Sequence, residues 1–163
     1  MENNDSSNTL IQVEDWYSDE FISNSVISYL KENGYKVQKE NLSKENEKPE
    51  RIITASKFFK KEIIEVKGFP QYISNPHNIT PPKATHAKSW FTEALFNSFV
   101  NFGGIENAEV AIALPNVSRY KAIIEKLHDY FTANDLYFRI YLVNEDGSVE
   151  VSNLNLKYLK IAL

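Results

Sequence analysis

The run "AEVAIALP", residues 108–115, holds a single charged side chain among eight. A strand with one wet face alternates polar and apolar residues, so a run this apolar reads as a strand buried on both faces. "NVSRYKAIIEKLHDYF" follows it, with Tyr120, Ile123, Ile124, Leu127 and Phe131 on one side of a helix. "LYFRIYLV" then reads as another strand, and "NEDG" turns the chain toward "SVEV". Strand, helix and strand make a βαβ unit, whose strands pair in parallel through a right-handed crossover.

Upstream, "SDEFISNSVISYLKENG" predicts a helix. Ser18 is the N-cap, Asp19 and Glu20 sit at the positive end of the dipole, and Gly34 is the stop. Ile22, Val26, Tyr29 and Leu30 form its apolar stripe. "YKVQKENL" reads as a strand. "RIITAS" and "EIIEVKG" are two β-branched runs joined by "KFFKK", the pattern of a hairpin. Residues 69–84 carry Pro70, Pro76, Pro81 and Pro82 and read as a long, functional loop. "THAKSWFTEALFNSFVNFGG" predicts a second helix, with Trp90 and Ala94 and the series Phe91, Leu95, Phe99 at helical spacing. The tail "LNLKYLKIAL" suits either a strand or a short helix. The expected order is αβββαβαβ, an α/β fold whose mixed sheet is flanked by helices.

With 163 residues, 42% of them hydrophobic, the chain suits one domain. Residues 1–16 are polar and acidic and are expected to be flexible; 17–163 form the domain. No apolar run approaches the roughly 18 residues of a membrane span. "MENNDSSNTL" lacks the basic and apolar regions of a secretory signal. The absence of cysteine excludes disulfides, thiolate zinc sites and a cysteine nucleophile, and a cytoplasmic setting is expected. The net charge of −4 argues against coating nucleic acid by charge alone. Its distribution is uneven: seven basic and two acidic residues between Arg51 and Trp90 make that stretch +5 and the remainder −9. The strip reads either as a phosphate footprint or, at Lys57, Lys60 and Lys61, as the solubilising tip of a hairpin.

Within "IIEVKG", Glu65 and Lys67 share one face of a strand, and Ile64 and Val66 the other. An edge-strand ion pair is the plain reading. A two-residue hairpin loop centred on Lys57 and Phe58 would set Glu50 directly opposite Glu65. Opposed side chains have Cβ atoms about 4.5–5.5 Å apart, and like charges there destabilise a sheet. A cation between them removes the conflict, and oxygen ligands of this kind suit Mg²⁺.

"PE" at residues 49–50, "RIITAS" and "IIEVKG", in this element order, resemble the signature of the PD-(D/E)XK nuclease superfamily, the restriction-endonuclease-like fold. The resemblance covers roughly residues 18–143. It implies a DNA phosphodiesterase that uses Mg²⁺ or Mn²⁺. By position it implies Glu50 and Glu65 as metal-binding acids, the Val66 carbonyl as a further ligand, and Lys67 as the group that positions the attacking water. The first acid is Glu50 where the family usually has aspartate. The family's first-helix glutamate falls on Ser23, and Glu20, one turn earlier, is the substitute or simply a dipole residue. The alternative reading is a nuclease-fold protein without activity that binds DNA or a protein partner. DNA is the expected partner; a homodimer is compatible with the sequence and a membrane is not.

His77, His86 and His128 show no metal-ligand spacing. Lys83, His86 and Lys88, with Thr85 at the head of the second helix, are a candidate phosphate site, although Thr85 also suits a plain N-cap. Tyr72 is a better candidate than Trp90 for stacking on a base, since Trp90 shares its helix face with Ala94.

Overall fold

The computed structural model describes residues 16–42, 50–68 and 84–154. Helix α1 (Asp19–Glu32) is followed by strands β1 (Lys36–Leu42), β2 (Glu50–Lys57) and β3 (Lys60–Val66). Helix α2 (Ala84–Phe102), β4 (Ala108–Pro115), α3 (Ser118–Ala133), β5 (Arg139–Val143) and β6 (Val149–Asn153) complete the order. The strands form one six-stranded sheet in chain order. Pairs β1–β2, β2–β3 and β5–β6 are antiparallel, and β3–β4 and β4–β5 are parallel. The fold is thus a mixed α/β sheet with one strand, β6, beyond the expected order.

Both faces of the sheet are covered, as its central strands require. Ile22, Val26 and Leu30 of α1 pack on Ile53, Ile64, Val66, Ala111, Ala113 and Val143. On the other face, Phe91 and Ala94 of α2 and Tyr120, Ile124 and Phe131 of α3 pack on Ile112, Leu114, Ile140 and Leu142. Strand β4 lies between the two layers and is buried from Ala111 to Pro115. The α1 caps are those expected: Ser18 accepts the Phe21 N–H at 3.1 Å, and Gly34 takes φ +79° just beyond the helix.

Several expectations need correction. The hairpin turns at Phe58–Phe59, with Lys57 opposite Lys60, one residue later than the expected centre. Tight two-residue turns favour Asn or Gly, because φ is positive there. This one uses Phe58 at φ +53°, so no turn residue marked its place. Moving the centre by one residue moves the register by two. Glu65 therefore faces Ile52 rather than Glu50, and position 50 comes level with Lys67. On α2 the buried line is Ala87, Phe91, Ala94, Ser98 and Phe102, whereas Phe99 is at the rim. Apolar residues, Phe96, Phe99 and Val100 among them, also stand on the exposed side of the helix, so spacing alone does not select a face. Thr85 lies within α2, which starts at Ala84, and is not its N-cap. The basic strip is also divided: Lys61 and Lys67 are six residues apart on an extended strand, roughly 20 Å at about 3.3 Å per residue. Lys57 donates to the Asn33 carbonyl at 2.8 Å, and Lys60 pairs with Glu109 at 3.4 Å. The proline-rich loop, with Tyr72, His77 and Lys83, and the tail after Leu154 lie outside the described residues.

Candidate functional site

The carboxyl end of β3 holds two of the charged residues that the sequence singles out, Glu65 and Lys67. Alternation along the strand turns Ile64 and Val66 to α1, and Glu65 and Lys67 to α2. The neighbours of Glu65 across the strands are Ile52 on β2 and Ile112 on β4. Both isoleucines are buried, and Glu65 itself is only 4% exposed. A carboxylate flanked by apolar side chains is costly to desolvate.

Lys67 is the next residue on that face. Its Nζ donates to Oε1 of Glu93 on α2 at 2.8 Å, and both side chains are partly open to solvent, 29% and 49%. Its backbone N–H donates to the Ala113 carbonyl at 3.0 Å, continuing the parallel ladder one step past Val66. Gly68 follows, and its N–H donates to Oδ1 of Asp19 at 2.5 Å. A side chain at Gly68 would strike the Tyr17 carbonyl and come within 2.7 Å of the Asp19 nitrogen. Glycine is therefore required where the start of α1 crosses the end of β3.

In sequence Asp19 suits only the helix dipole, yet it is the acid that α1 brings to this end of the strand. Glu20 is exposed on α1, the helix that covers the sheet face opposite Glu65 and Lys67. Position 50 opens β2 across from Leu42; the Glu50 side chain lies outside the described residues. His86 is exposed and its ring lies 5.7 Å from that of Trp90. Lys88 lines an open groove of about 520 Å³ along α2 with Ser89, Thr92, Glu93 and Phe96, so Glu93 joins this groove to Lys67. Among the described residues, no group of three or more His, Cys, Asp or Glu is arranged to hold a metal ion.

Two polar networks had no local signal in the sequence. At the carboxyl ends of β4 and β5, Asn116 donates to Asn144 at 2.6 Å and to Glu150 at 2.8 Å, and Lys121 pairs with Glu150 at 3.0 Å. The Lys121 hydrogen bond holds the Glu150 carboxyl below the usual range. At the opposite end of β3, Glu62 faces α1 and is 3% exposed. Arg139 donates to both its oxygens, at 3.1 and 3.0 Å, and the Tyr141 hydroxyl donates at 2.7 Å. Burial raises the Glu62 pKa, against the opposing pull of Arg139 and Tyr141. Burial also pushes the Tyr137 hydroxyl, which bonds to Arg139, up to about 12.

No protein-family model, curated protein or solved structure gives a significant match to the chain.

Proposed function

We propose that the protein is a metal-dependent nuclease of the restriction-endonuclease-like fold that hydrolyses DNA phosphodiester bonds. The observation that carries this reading is a buried carboxylate, Glu65, held between Ile52 and Ile112 and followed by Lys67 on the same face at a strand end. Further support comes from the order α1-β1-β2-β3-α2-β4, which follows the αβββαβ core of that fold, with an acid, Glu50, opening β2.

Glu65, Glu50 and the Val66 carbonyl would hold the metal, Mg²⁺ or Mn²⁺. Once bound, the metal supplies Lewis-acid polarisation of the phosphate and a lowered pKa for water. The remaining chemistry belongs to the chain. The isoleucines beside Glu65 lower the local dielectric and strengthen the field of the carboxylate. The Lys67 ammonium donates to the attacking water and balances charge that develops on the phosphate oxygens. Lys88, in the groove shared with Glu93, supplies a cation along the path of the strand.

A second reading, a nuclease fold without activity that binds DNA or a protein partner, is favoured by one observation: Lys67 is already bonded to a carboxylate. Cleavage of supercoiled and linear DNA with Mg²⁺ or Mn²⁺ separates the two. Lys67→Ala should lower cleavage by at least ~10²-fold and leave metal binding nearly intact, because an ammonium is not a ligand. Glu65→Gln should lose both. No cutting by the wild type on single- or double-stranded nucleic acid would favour the second reading; full activity in Lys67→Ala would remove the lysine from the mechanism.

A further inference from the structure

The ion pair between Lys67 and Glu93 joins two fixed segments of main chain. The main chain at Lys67 is fixed on both sides. Its own N–H is bonded to Ala113, the next N–H to Asp19, and Gly68 fits tightly beneath the start of α1. What remains free is the flexible four-carbon stem of the lysine. Glu93 projects from a part of α2 that is equally fixed, because Phe91 and Ala94, on either side of it in sequence, are 1% and 0% exposed. A pair this open to solvent contributes little to stability, so holding two rigid elements together does not account for it.

We propose that Glu93 is a positioning residue for Lys67, a role that rests on the nuclease reading above. An ammonium carries three N–H donors. Glu93 takes one of them and fixes the direction of the head group at the end of β3. The other two are left for the attacking water and a phosphate oxygen. Glu93 touches neither substrate nor metal in this role and acts only through Lys67.

The test follows single-turnover cleavage of a plasmid in Mn²⁺, together with the Lys67 ammonium resonance in a ¹⁵N-labelled sample. Glu93→Ala should lower kcat about 10- to 100-fold, the range of a catalytic group left slightly misplaced, with KM within about twofold. Its ammonium resonance should broaden into exchange with water. Glu93→Gln, which keeps an acceptor oxygen, should recover part of both, and it replaces the alanine variant if that one melts early. Exchanging the pair, Lys67→Glu with Glu93→Lys, restores the ion pair and should remain inactive. Wild-type cleavage in Glu93→Ala, or activity in the exchanged pair, would overturn the role of Glu93 and leave the nuclease reading standing. A wild type that cuts nothing while its ammonium resonance still responds to Glu93 would overturn the nuclease reading, and the positioning role with it.

Discussion

Strand β3 buries two glutamates three residues apart, Glu62 and Glu65, to nearly the same depth on opposite faces. Glu62 lies near the hairpin and is closed by its surroundings: an arginine bonds both oxygens and a tyrosine hydroxyl adds a third donor. Glu65 lies toward the carboxyl end, and its neighbours across the strands are isoleucines. The lysine beside it is held from another helix and stays open to solvent. The first carboxylate brings its own counter-charge and completes the fold. The second lies where, by the general rule for open α/β sheets, ligands bind outside the carboxyl ends of the strands. Burial alone therefore does not distinguish the two carboxylates; what surrounds them does.

The largest effect should come from breaking the closed end. Arg139→Met leaves the Glu62 charge buried without its cation, a change that typically costs about 3–5 kcal/mol. Denaturant melts would measure it, and a loss below about 1 kcal/mol would mean that the closed network is dispensable. The deficit should depend on pH. The folded pKa of Glu62 already lies above its ordinary value of 4.5, and Arg139 is the strongest influence holding it down. Without the arginine it rises further. A raised folded pKa gives stability that is full below the unfolded value and is lost as pH climbs through the folded one. The gap between wild type and variant should therefore be narrow near pH 4 and wide at neutral pH. A gap that does not change with pH would show that Arg139 acts by packing alone.

The open end should tolerate what the closed end does not. Glu65→Gln keeps the shape of the side chain and one acceptor oxygen while it removes a charge from between two isoleucines. Its stability should stay within about 1 kcal/mol of the wild type, since the desolvation cost of the carboxylate goes with the charge. The same variant should be inactive. A loss comparable to that of Arg139→Met would place Glu65 among the structural groups and erase the contrast between the two ends.

Much of this contrast was hidden in the sequence, for reasons that differ by residue. The near-absence of charge in β4 announced a central parallel strand, and Ser18 and Gly34 announced the ends of α1. Alternation placed Glu65 and Lys67 on one face without any knowledge of the partner strand. The register failed because Phe58 occupies a turn position where Asn or Gly is the usual signal, so Glu50 was set against the wrong residue. Arg139 and Glu62 are 77 residues apart, and Lys67 and Glu93 are 26 apart; no periodicity joins such pairs. Asp19 was visible but explained too early, because an acid in the first turn of a helix already has a reason to be there.

The smallest effect should be at the Lys67–Glu93 pair, and it sharpens the comparison most. Both of its side chains are partly in water, 29% and 49% exposed, against 17% and 4% for Arg139 and Glu62. Coulomb attraction in solvent is weak and is offset by the entropy of holding a long lysine side chain still. Glu93→Ala should therefore cost no more than about 1 kcal/mol in a denaturant melt. Even that difference should shrink as salt is raised toward about 1 M, where the screening length falls to about 3 Å. The Arg139 deficit, shielded from solvent, should persist in the same titration. If the Glu93 deficit matched that of Arg139, or held unchanged in high salt, Lys67 would be a strut between β3 and α2. If it is small and fades, the pair is kept for what the ammonium does at the strand end, since its contribution to folding is too slight to explain a lysine beside a buried carboxylate.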